Sequence, residues 1–277
     1  MKIWEAIIYG ILGGFTELLP LSFSGHAAVL HSAFNISALT SGGGLYVRAA
    51  ITLGVVLAIV FAFLGDIRAY LAAAKSALAQ KGKRRRRSAP QWRSFLMMLF
   101  ALLPMLLSLL FSAGAERITR LLYLAIFFAI NGTIIYFACR CRDRKKDERS
   151  LTLGDAILVG AARAFSVIPG VSDIGTSLAV GKARGFSPHF NLRFGFLLSL
   201  IFGGISFFYR LIRAFAFGRF SASILPAMLL AMLCALVVGY LAIQYLRYLL
   251  SKRAFRFFAY YSWDVAAIVL ILSLINN

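Results

Sequence analysis

Charged residues and cysteines are scarce in this sequence, and each scarcity excludes a class of protein. Charged residues make up 14% of the 277 residues, whereas hydrophobic residues make up 61%. A soluble domain of this length could not bury so much apolar surface in one core. The three cysteines form no framework, because Cys139 and Cys141 flank Arg140 and no nearby His offers metal-ligand spacing. We therefore expect an integral membrane protein with reduced thiols that have no catalytic function.

Acidic residues are also few, with 10 Asp and Glu against 30 Lys and Arg, which gives a net charge of +20. The basic residues lie between apolar stretches, a pattern that favours membrane topology and contact with anionic lipids over nucleic-acid binding. Residues 1–24 contain Glu5, Glu17 and Pro20 and lack a basic n-region, so we expect no cleaved signal peptide. The sequence gives no indication of the oligomeric state.

Long apolar runs predict six membrane spans, because about 20 apolar residues cross roughly 30 Å of hydrocarbon. The predicted spans are 44–64, 94–113, 121–139, 192–214, 222–246 and 256–275. Two further apolar stretches, 3–34 and 153–184, are interrupted by Pro, Gly and Ser clusters at 20–25 and 169–175. Backbone groups freed by such breaks cannot face lipid. The sequence therefore predicts an all-α polytopic membrane protein with six transmembrane helices and two re-entrant helical hairpins that line an internal cavity.

The basic loops predict the orientation of the chain. Counting spans places the loops 65–93 and 140–149, and the basic cluster 247–256, on one side, which must be cytoplasmic. Both termini then face outward. Each half, 1–139 and 150–277, contains one hairpin and three spans, and the basic connection 140–149 joins them. An odd number of spans inverts the second half, and inverted repeats with broken helices place a site near the bilayer midplane.

Polar residues with reactive side chains lie at both breaks. In the first hairpin, Glu17 would cost about 3 kcal/mol in the membrane without a partner or a wet cavity. With Ser22, Ser24 and His26 it could form an acid/base or nucleophile set for phosphoryl transfer. An alternative is a polar cluster that only satisfies the broken backbone.

The second hairpin contains glycine and hydroxyl residues that could present N–H groups to a phosphate. They are Ser172, Gly175, Thr176 and Ser177.

These two segments carry a resemblance to a known family. Residues 14–26 and 169–177 resemble the motifs G-L-T-E-F-L-P-V-S-S-T-G-H and P-G-x-S-R-S-G-A-T of undecaprenyl-pyrophosphate phosphatases of the bacitracin-resistance type, and residues 185–198 are similar to a third family segment. The resemblance implies a six-span, two-hairpin, inverted-repeat fold in the bacterial plasma membrane. It also implies hydrolysis of an isoprenoid lipid diphosphate, the C55 diphosphate, to the monophosphate for peptidoglycan synthesis. A divalent cation, Mg or Ca, usually assists, and no organic cofactor is expected.

Several positions depart from the family pattern. Family glutamates fall at Gly13, Arg48 and Arg193, a serine falls at Phe23, and the arginine expected to hold the diphosphate falls at Asp173. Because unpaired charges in the membrane are costly, we expect Asp173 to pair with Arg48 or Arg193.

The loss of carboxylates leaves Glu17 as a weak metal ligand and predicts weaker dependence on a divalent cation than in the family. Arg48 and Arg193 could instead hold the diphosphate directly. In the enzyme interpretation, Glu17 and His26 handle protons, and Ser24 or Ser22 lies nearest the phosphate. A noncatalytic polyprenyl-phosphate carrier, flippase or transporter with the same fold, and a noncatalytic scaffold or resistance factor, remain alternatives.

Overall fold

A computed structural model describes residues 2–34, 39, 43–79, 90–115, 117–142 and 145–275. These residues are predominantly helical. In chain order the helices are α1 (Ile3–Leu18), α2 (Phe23–Phe34), α3 (Gly44–Ala62), α4 (Leu64–Ala79), α5 (Pro90–Ala115), α6 (Leu121–Arg140), α7 (Leu153–Ala164), α8 (Asp173–Ala183), α9 (Pro188–Phe217), α10 (Leu225–Ser251) and α11 (Phe257–Ile275). Within the described ranges, six helices are long and apolar enough to cross a membrane, namely α3, α5, α6, α9, α10 and α11. All six predicted spans are confirmed, with ends that differ by a few residues.

The basic loop predicted at 65–93 begins with a helix instead. Helix α4 carries alanines with high helix propensity and an acidic residue, Asp66, in its first turn, where it favours the helix dipole. Its buried residues Tyr70, Ala73 and Ala77 recur at helical spacing, and the Tyr70 hydroxyl group donates a hydrogen bond to Ser94 Oγ of α5 at 3.2 Å. The basic residues of 80–89 lie outside the described residues.

Both apolar stretches with central breaks are interrupted where the sequence predicts. Helix α1 ends at Leu18, and Leu19 is extended, because the residue before a proline is disfavoured in the helical conformation. Between α7 and α8 a short 3₁₀ turn leads into Gly170, whose φ of +103° is a conformation that favours glycine. That these helices enter and leave the membrane on the same side stays a prediction.

Small residues bring the helices around α1 into backbone contact. A Cβ atom at Gly10 or Gly14 would lie 2.6 Å from the carbonyl oxygen atom of Ala231 or Ala235 in α10. Gly54 of α3 packs equally tightly against the backbone of the same helix. Close approach of this kind is how small residues stabilise helix pairs in membranes. The first broken helix is therefore held firmly between two spans.

The two halves of the chain pack through equivalent helix pairs. Helix α1 packs on α10, and α7 packs on α5; α3 packs on α9, and α6 packs on α11. An exchange of the two halves reproduces these four pairs. The repeats predicted at 1–139 and 150–277, and their inverted relation, stay predictions.

Asp155 anchors the connection between the halves. Its buried carboxylate accepts hydrogen bonds from Lys146 Nζ and Arg184 Nε, each at 2.7 Å, and from the backbone of Thr152. Burial raises the pKa of this carboxyl group, but these hydrogen bonds outweigh it and lower the pKa to about 2. Asp155 therefore fixes the first turn of α7 to the connection between the halves.

Candidate functional site

The tips of the two broken helices touch each other. Ser22 Oγ accepts a hydrogen bond from the backbone N–H group of Gly170 at 3.0 Å, and Ser172 Oγ donates one to the carbonyl oxygen of Leu19 at 3.3 Å. A Cβ atom at Gly25 would lie 2.6 Å from the Gly170 nitrogen. The two breaks thus form one junction, as the predicted hairpins require.

Asn131 of α6 joins the two tips. Its Nδ2 group donates hydrogen bonds to the Pro20 carbonyl oxygen at 3.4 Å and to Ser262 Oγ at 3.0 Å, and its Oδ1 atom accepts one from the Ser172 N–H group at 2.9 Å. The side chain is fully buried. The sequence analysis missed this residue, although an amide in the middle of an apolar span was the available signal.

A cavity of about 160 Å³ lies beside the junction, between α3 and α9. Five of the predicted site residues line it, namely Glu17, Ser22, Ser24, Arg48 and Asp173. The lining also includes residues that the sequence analysis did not select: Thr16, Thr52, Ser166, Ser199, Ser206 and Arg210. The polar groups are therefore concentrated where the broken helices meet.

The cavity is a slot between two antiparallel helices. Tyr46 near the start of α3 contacts Phe215 near the end of α9, whereas Phe63 just after α3 stacks on Phe196 of α9 at 5.2 Å between ring centroids. The lining residues on each helix span three turns, or about 16 Å. The cavity arginines stand toward the Tyr46 end, and the stacked rings lie one turn beyond the opposite end. By the predicted topology, the arginines mark the outer end.

The ion pair expected at Asp173 exists with a different partner. Both Asp173 carboxylate oxygens accept hydrogen bonds from Arg163, through Nε at 2.7 Å and through Nη2. Arg163 is fully buried and also donates to the Gly195 carbonyl oxygen and to Ser199 Oγ, each at 2.8 Å. The prediction of Arg193 as the partner was wrong, because Arg193 pairs with Asp66 and Glu148, whereas Arg163 lies on the helix just before the same turn as Asp173. A pairing with Arg48 stays a prediction. A charged residue inside the apolar stretch 153–184 was the overlooked signal.

Arg193 lies away from the cavity. It pairs with Asp66 of α4 at 3.3 Å and with Glu148 in the connection between the halves. The structure therefore separates it from the lining residues where a diphosphate ligand was expected. Its position at the beginning of α9 instead connects that helix with α4 and with the connection between the halves.

His26 lies behind the cavity lining. Its Nδ1 atom is 2.7 Å from the Ser22 carbonyl oxygen, its Nε2 atom is 3.0 Å from the Tyr261 hydroxyl group, and its ring packs edge-on against Phe128. Both ring nitrogens are thus engaged within the protein. The role of His26 in proton transfer stays a prediction, and the geometry favours a role in holding the Ser22 turn.

Three of the four predicted phosphate-binding residues of the second broken stretch, Ser172, Gly175 and Thr176, form hydrogen bonds within their own turn. Ser172 Oγ accepts a hydrogen bond from the Gly175 N–H group at 3.0 Å, as an N-cap of α8. The Thr176 hydroxyl group donates to the Ser172 carbonyl oxygen at 2.8 Å. Ser177 is buried, and its Oγ atom faces Gly195. None of the four is among the lining residues, because a break in an apolar setting must satisfy its own backbone groups.

The two serines of the first hairpin differ in their surroundings. Ser22 is buried and accepts hydrogen bonds from two backbone N–H groups, those of Gly25 at 3.3 Å and Gly170 at 3.0 Å. Ser24 is less buried and lies 3.3 Å from Ser22 Oγ. The Ser24 hydroxyl group is therefore the better placed of the two to contact a molecule in the cavity. Phe23, where the resemblance places a serine, packs its ring in the lining between them.

The lining offers few ligands for a divalent cation. Its carboxylates are Glu17 and Asp173, and both oxygens of Asp173 are bound by Arg163. Over the described residues there is no group of three or more His, Cys, Asp or Glu side chains. Divalent cations of this kind bind through several oxygen ligands, usually including carboxylates. One carboxylate beside two arginines does not fit such an ion well.

Comparison with known proteins gives consistent results. A family model described as bacitracin resistance protein BacA matches residues 6–268. The chain is 32% identical over 278 residues to a protein named undecaprenyl-diphosphatase from Methanobrevibacter smithii, with 97% of each chain covered. It is 31% identical over 265 residues to the protein of that name from Pseudarthrobacter chlorophenolicus, with 94% of this chain and 93% of the other covered. The protein of that name from Acaryochloris marina is 30% identical over 273 residues, with 98% of each covered.

Proposed function

The chain belongs to the bacitracin resistance protein BacA family, and we propose that it hydrolyses undecaprenyl diphosphate to undecaprenyl monophosphate and inorganic phosphate. Its relatives are named undecaprenyl-diphosphatase. The observation that carries this proposal is the cavity at the helix junction, which holds Glu17 and Ser24 together with Arg48 and Arg210. Carboxylate, hydroxyl and guanidinium groups around one space are the elements that phosphoryl transfer requires.

The proposed reaction needs positive charge to stabilise the phosphate oxygens, a base to accept a proton from water, and a group that orients the phosphate. Water attacks the terminal phosphorus, the bond from that phosphorus to the bridging oxygen breaks, and the electron pair stays on the lipid monophosphate. The arginines stabilise the charge that develops on the phosphate oxygens. Glu17 accepts the proton that the attacking water loses. The Ser24 hydroxyl group donates a hydrogen bond to the phosphate and orients it.

We further propose that this chain depends less on a divalent cation than its resemblance implies. When bound, such a cation would neutralise phosphate charge and orient the diphosphate. Glu17 is the residue that would hold it, with few other ligands nearby. The scarcity of carboxylates beside the arginines supports this proposal. No organic cofactor enters the scheme.

The membrane setting is proposed from charge and exposure. Helix α4 exposes Leu71 and Leu78, 65% and 71% accessible, beside the exposed Lys75. Apolar and basic side chains on one exposed helix suit the surface of an anionic membrane. We propose that α4 and the basic connection contact anionic lipids on the cytoplasmic side of a bacterial plasma membrane. The two halves of the chain would be inverted within it.

The test is phosphate release from a long-chain isoprenyl diphosphate by the purified protein in detergent. Glu17→Ala should lower kcat by about 100-fold or more, because it removes the proposed base. The matched control is Glu5→Ala on the same helix, since Glu5 accepts a hydrogen bond from the Lys2 N–H group near the chain start and is not in the cavity lining. Equal rates for both variants would contradict the role of Glu17. Binding of the lipid without release by the native protein would contradict the hydrolase and favour a carrier.

A further inference from the structure

Arg210 is a cavity residue that neither the motifs nor the resemblance selects. It lies on α9, on the same face as Ser199, Gly203 and Ser206, and all four line the cavity. These residues recur on one face of α9. Arg210 therefore lies about three turns further along the helix than Ser199, which contacts Arg163 of the Arg163–Asp173 pair. It therefore stands at the arginine end of the slot rather than at the end with the stacked rings.

The charged groups around the cavity have a net positive charge, which favours the binding of an anion near Arg210. The Asp173 carboxylate is matched by the buried Arg163 guanidinium group. Glu17 then shares the cavity with two arginines, Arg48 and Arg210. The polar part of the cavity consequently has an excess of positive charge. A diphosphate group, with several negative charges and many acceptor oxygens, complements it.

The geometry of the guanidinium group adds specificity to this charge. Arginine presents its donors in a rigid fork that binds two phosphate oxygens at once. Arg48 and Arg210 lie on facing antiparallel helices, so they approach the cavity from opposite walls. Two forks on opposite walls can bind both phosphates of a diphosphate without a bridging ion. The two guanidinium groups supply the positive charge that a divalent cation would otherwise supply. The cavity has few ligands to hold such a cation.

We propose that Arg210, together with Arg48, binds the diphosphate group of the substrate directly and takes the part that a divalent cation would play. The inference rests on the proposed function and deepens it. Arg210 and Glu17 line the same cavity, so a diphosphate group bound by Arg210 lies beside the proposed base. Its removal should weaken diphosphate binding and slow hydrolysis together.

The experiment compares Arg210→Gln and Arg210→Lys with the native protein in EDTA. Binding of methylenediphosphonate, a diphosphate that cannot be hydrolysed, is measured by calorimetry, and phosphate release from the isoprenyl diphosphate is measured in parallel. Arg213→Gln is the matched control, because Arg213 lies one turn further along α9 against the Tyr209 ring and is not in the lining. Thermal unfolding of each variant in detergent verifies folding.

We expect Arg210→Gln to raise the Kd for the diphosphonate by roughly 10- to 100-fold, the usual effect of losing charge-assisted hydrogen bonds. The value of kcat/KM should fall at least as much. Arg210→Lys should recover part of the binding, since it restores charge but not the fork. Arg213→Gln should match the native protein in both measurements.

Two outcomes separate this inference from the proposed function. If the native protein hydrolyses the lipid while Arg210→Gln binds and reacts like Arg213→Gln, the role of Arg210 is overturned and the hydrolase stands. If the native protein releases no phosphate either in EDTA or with added Mg²⁺, the proposed function fails. The role of Arg210 is then tested by diphosphonate binding alone. A Kd for the diphosphonate that Arg210→Gln leaves unchanged overturns the inference. If Arg210→Gln does not fold, the comparison of Arg210→Lys with the native protein is decisive, and an unchanged Kd overturns it.

Discussion

Removal of the Asp173 carboxylate should destabilise the protein more than removal of its partner. In Asp173→Ala, the fully buried Arg163 guanidinium group keeps its acceptors at Gly195 and Ser199 but loses its countercharge. Breaking a buried ion pair from one side costs about 3–5 kcal/mol. Because 33% of the Asp173 side chain is exposed to the cavity, we take the lower end, about 3 kcal/mol.

The reverse substitution leaves a group that water can reach. In Arg163→Met the side-chain volume is largely kept, and the Asp173 carboxylate can be hydrated from the cavity. We expect a cost of about 2 kcal/mol, typical of a polar group left without its partner. The double variant should be no less stable than Asp173→Ala alone. The coupling energy between the two positions is then about 2 kcal/mol.

Thermal unfolding of the detergent-solubilised protein measures these differences. A loss of about 3 kcal/mol should lower Tm by on the order of 6 °C or more for a chain of this size. The control cycle combines Asp173→Ala with Arg193→Ala, whose ion pairs lie at the beginning of α9, away from the cavity. Those two should be additive. If Asp173→Ala and Arg163→Met also add within about 0.5 kcal/mol, the two side chains are not energetically paired and the reasoning fails.

Three further predictions address the metal, the junction and the connection. Phosphate release should persist when EDTA is present, and complete loss that added Mg²⁺ restores would contradict the proposed weak metal dependence. Asn131→Ala should cost about 2–3 kcal/mol, because both hairpin tips lose buried hydrogen bonds, whereas Thr133→Ala on the exposed face of α6 should cost little in the same unfolding assay. The low pKa of Asp155 contributes stability that is complete above its ordinary value of 3.8 and is lost as pH falls toward about 2. The drop in Tm between pH 6 and pH 3 should therefore be smaller in Asp155→Asn, and an equal drop would show that other groups cause it.

The helices and their breaks could be predicted because each depends on local chemistry. A run of apolar residues long enough to cross a bilayer gives a span, and a Pro, Gly and Ser cluster ends a helix wherever it stands. Helix α4 was missed because the basic residues that follow it dominated the interpretation of 65–93. Its alanines carry the helix signal, but they are not apolar enough to mark a span.

The site was only partly predictable, because side-chain partners depend on packing between distant segments. The sequence analysis left two alternatives for the first hairpin, a reactive set or a polar cluster that satisfies the broken backbone. The structure divides the residues between them: Glu17, Ser22 and Ser24 line the cavity, whereas His26 lies behind it in contact with the Ser22 carbonyl oxygen and Tyr261. Ser22 has both roles, because it also accepts a hydrogen bond from the backbone of Gly170. Sequence spacing could not make this division. It depends on which way each turn faces once the second tip has docked.

The stacked rings of Phe63 and Phe196 have a consequence for turnover. They lie directly beyond the end of the cavity opposite the arginines, are almost fully buried, and are covered by the Arg247 guanidinium group at 4.4 Å from the Phe63 ring centroid. This end is therefore filled by aromatic side chains, and Arg48 and Arg210 stand toward the other end. If the diphosphate binds those arginines as proposed, liberated inorganic phosphate presents the same charged oxygens to them and should act as a competitive product inhibitor.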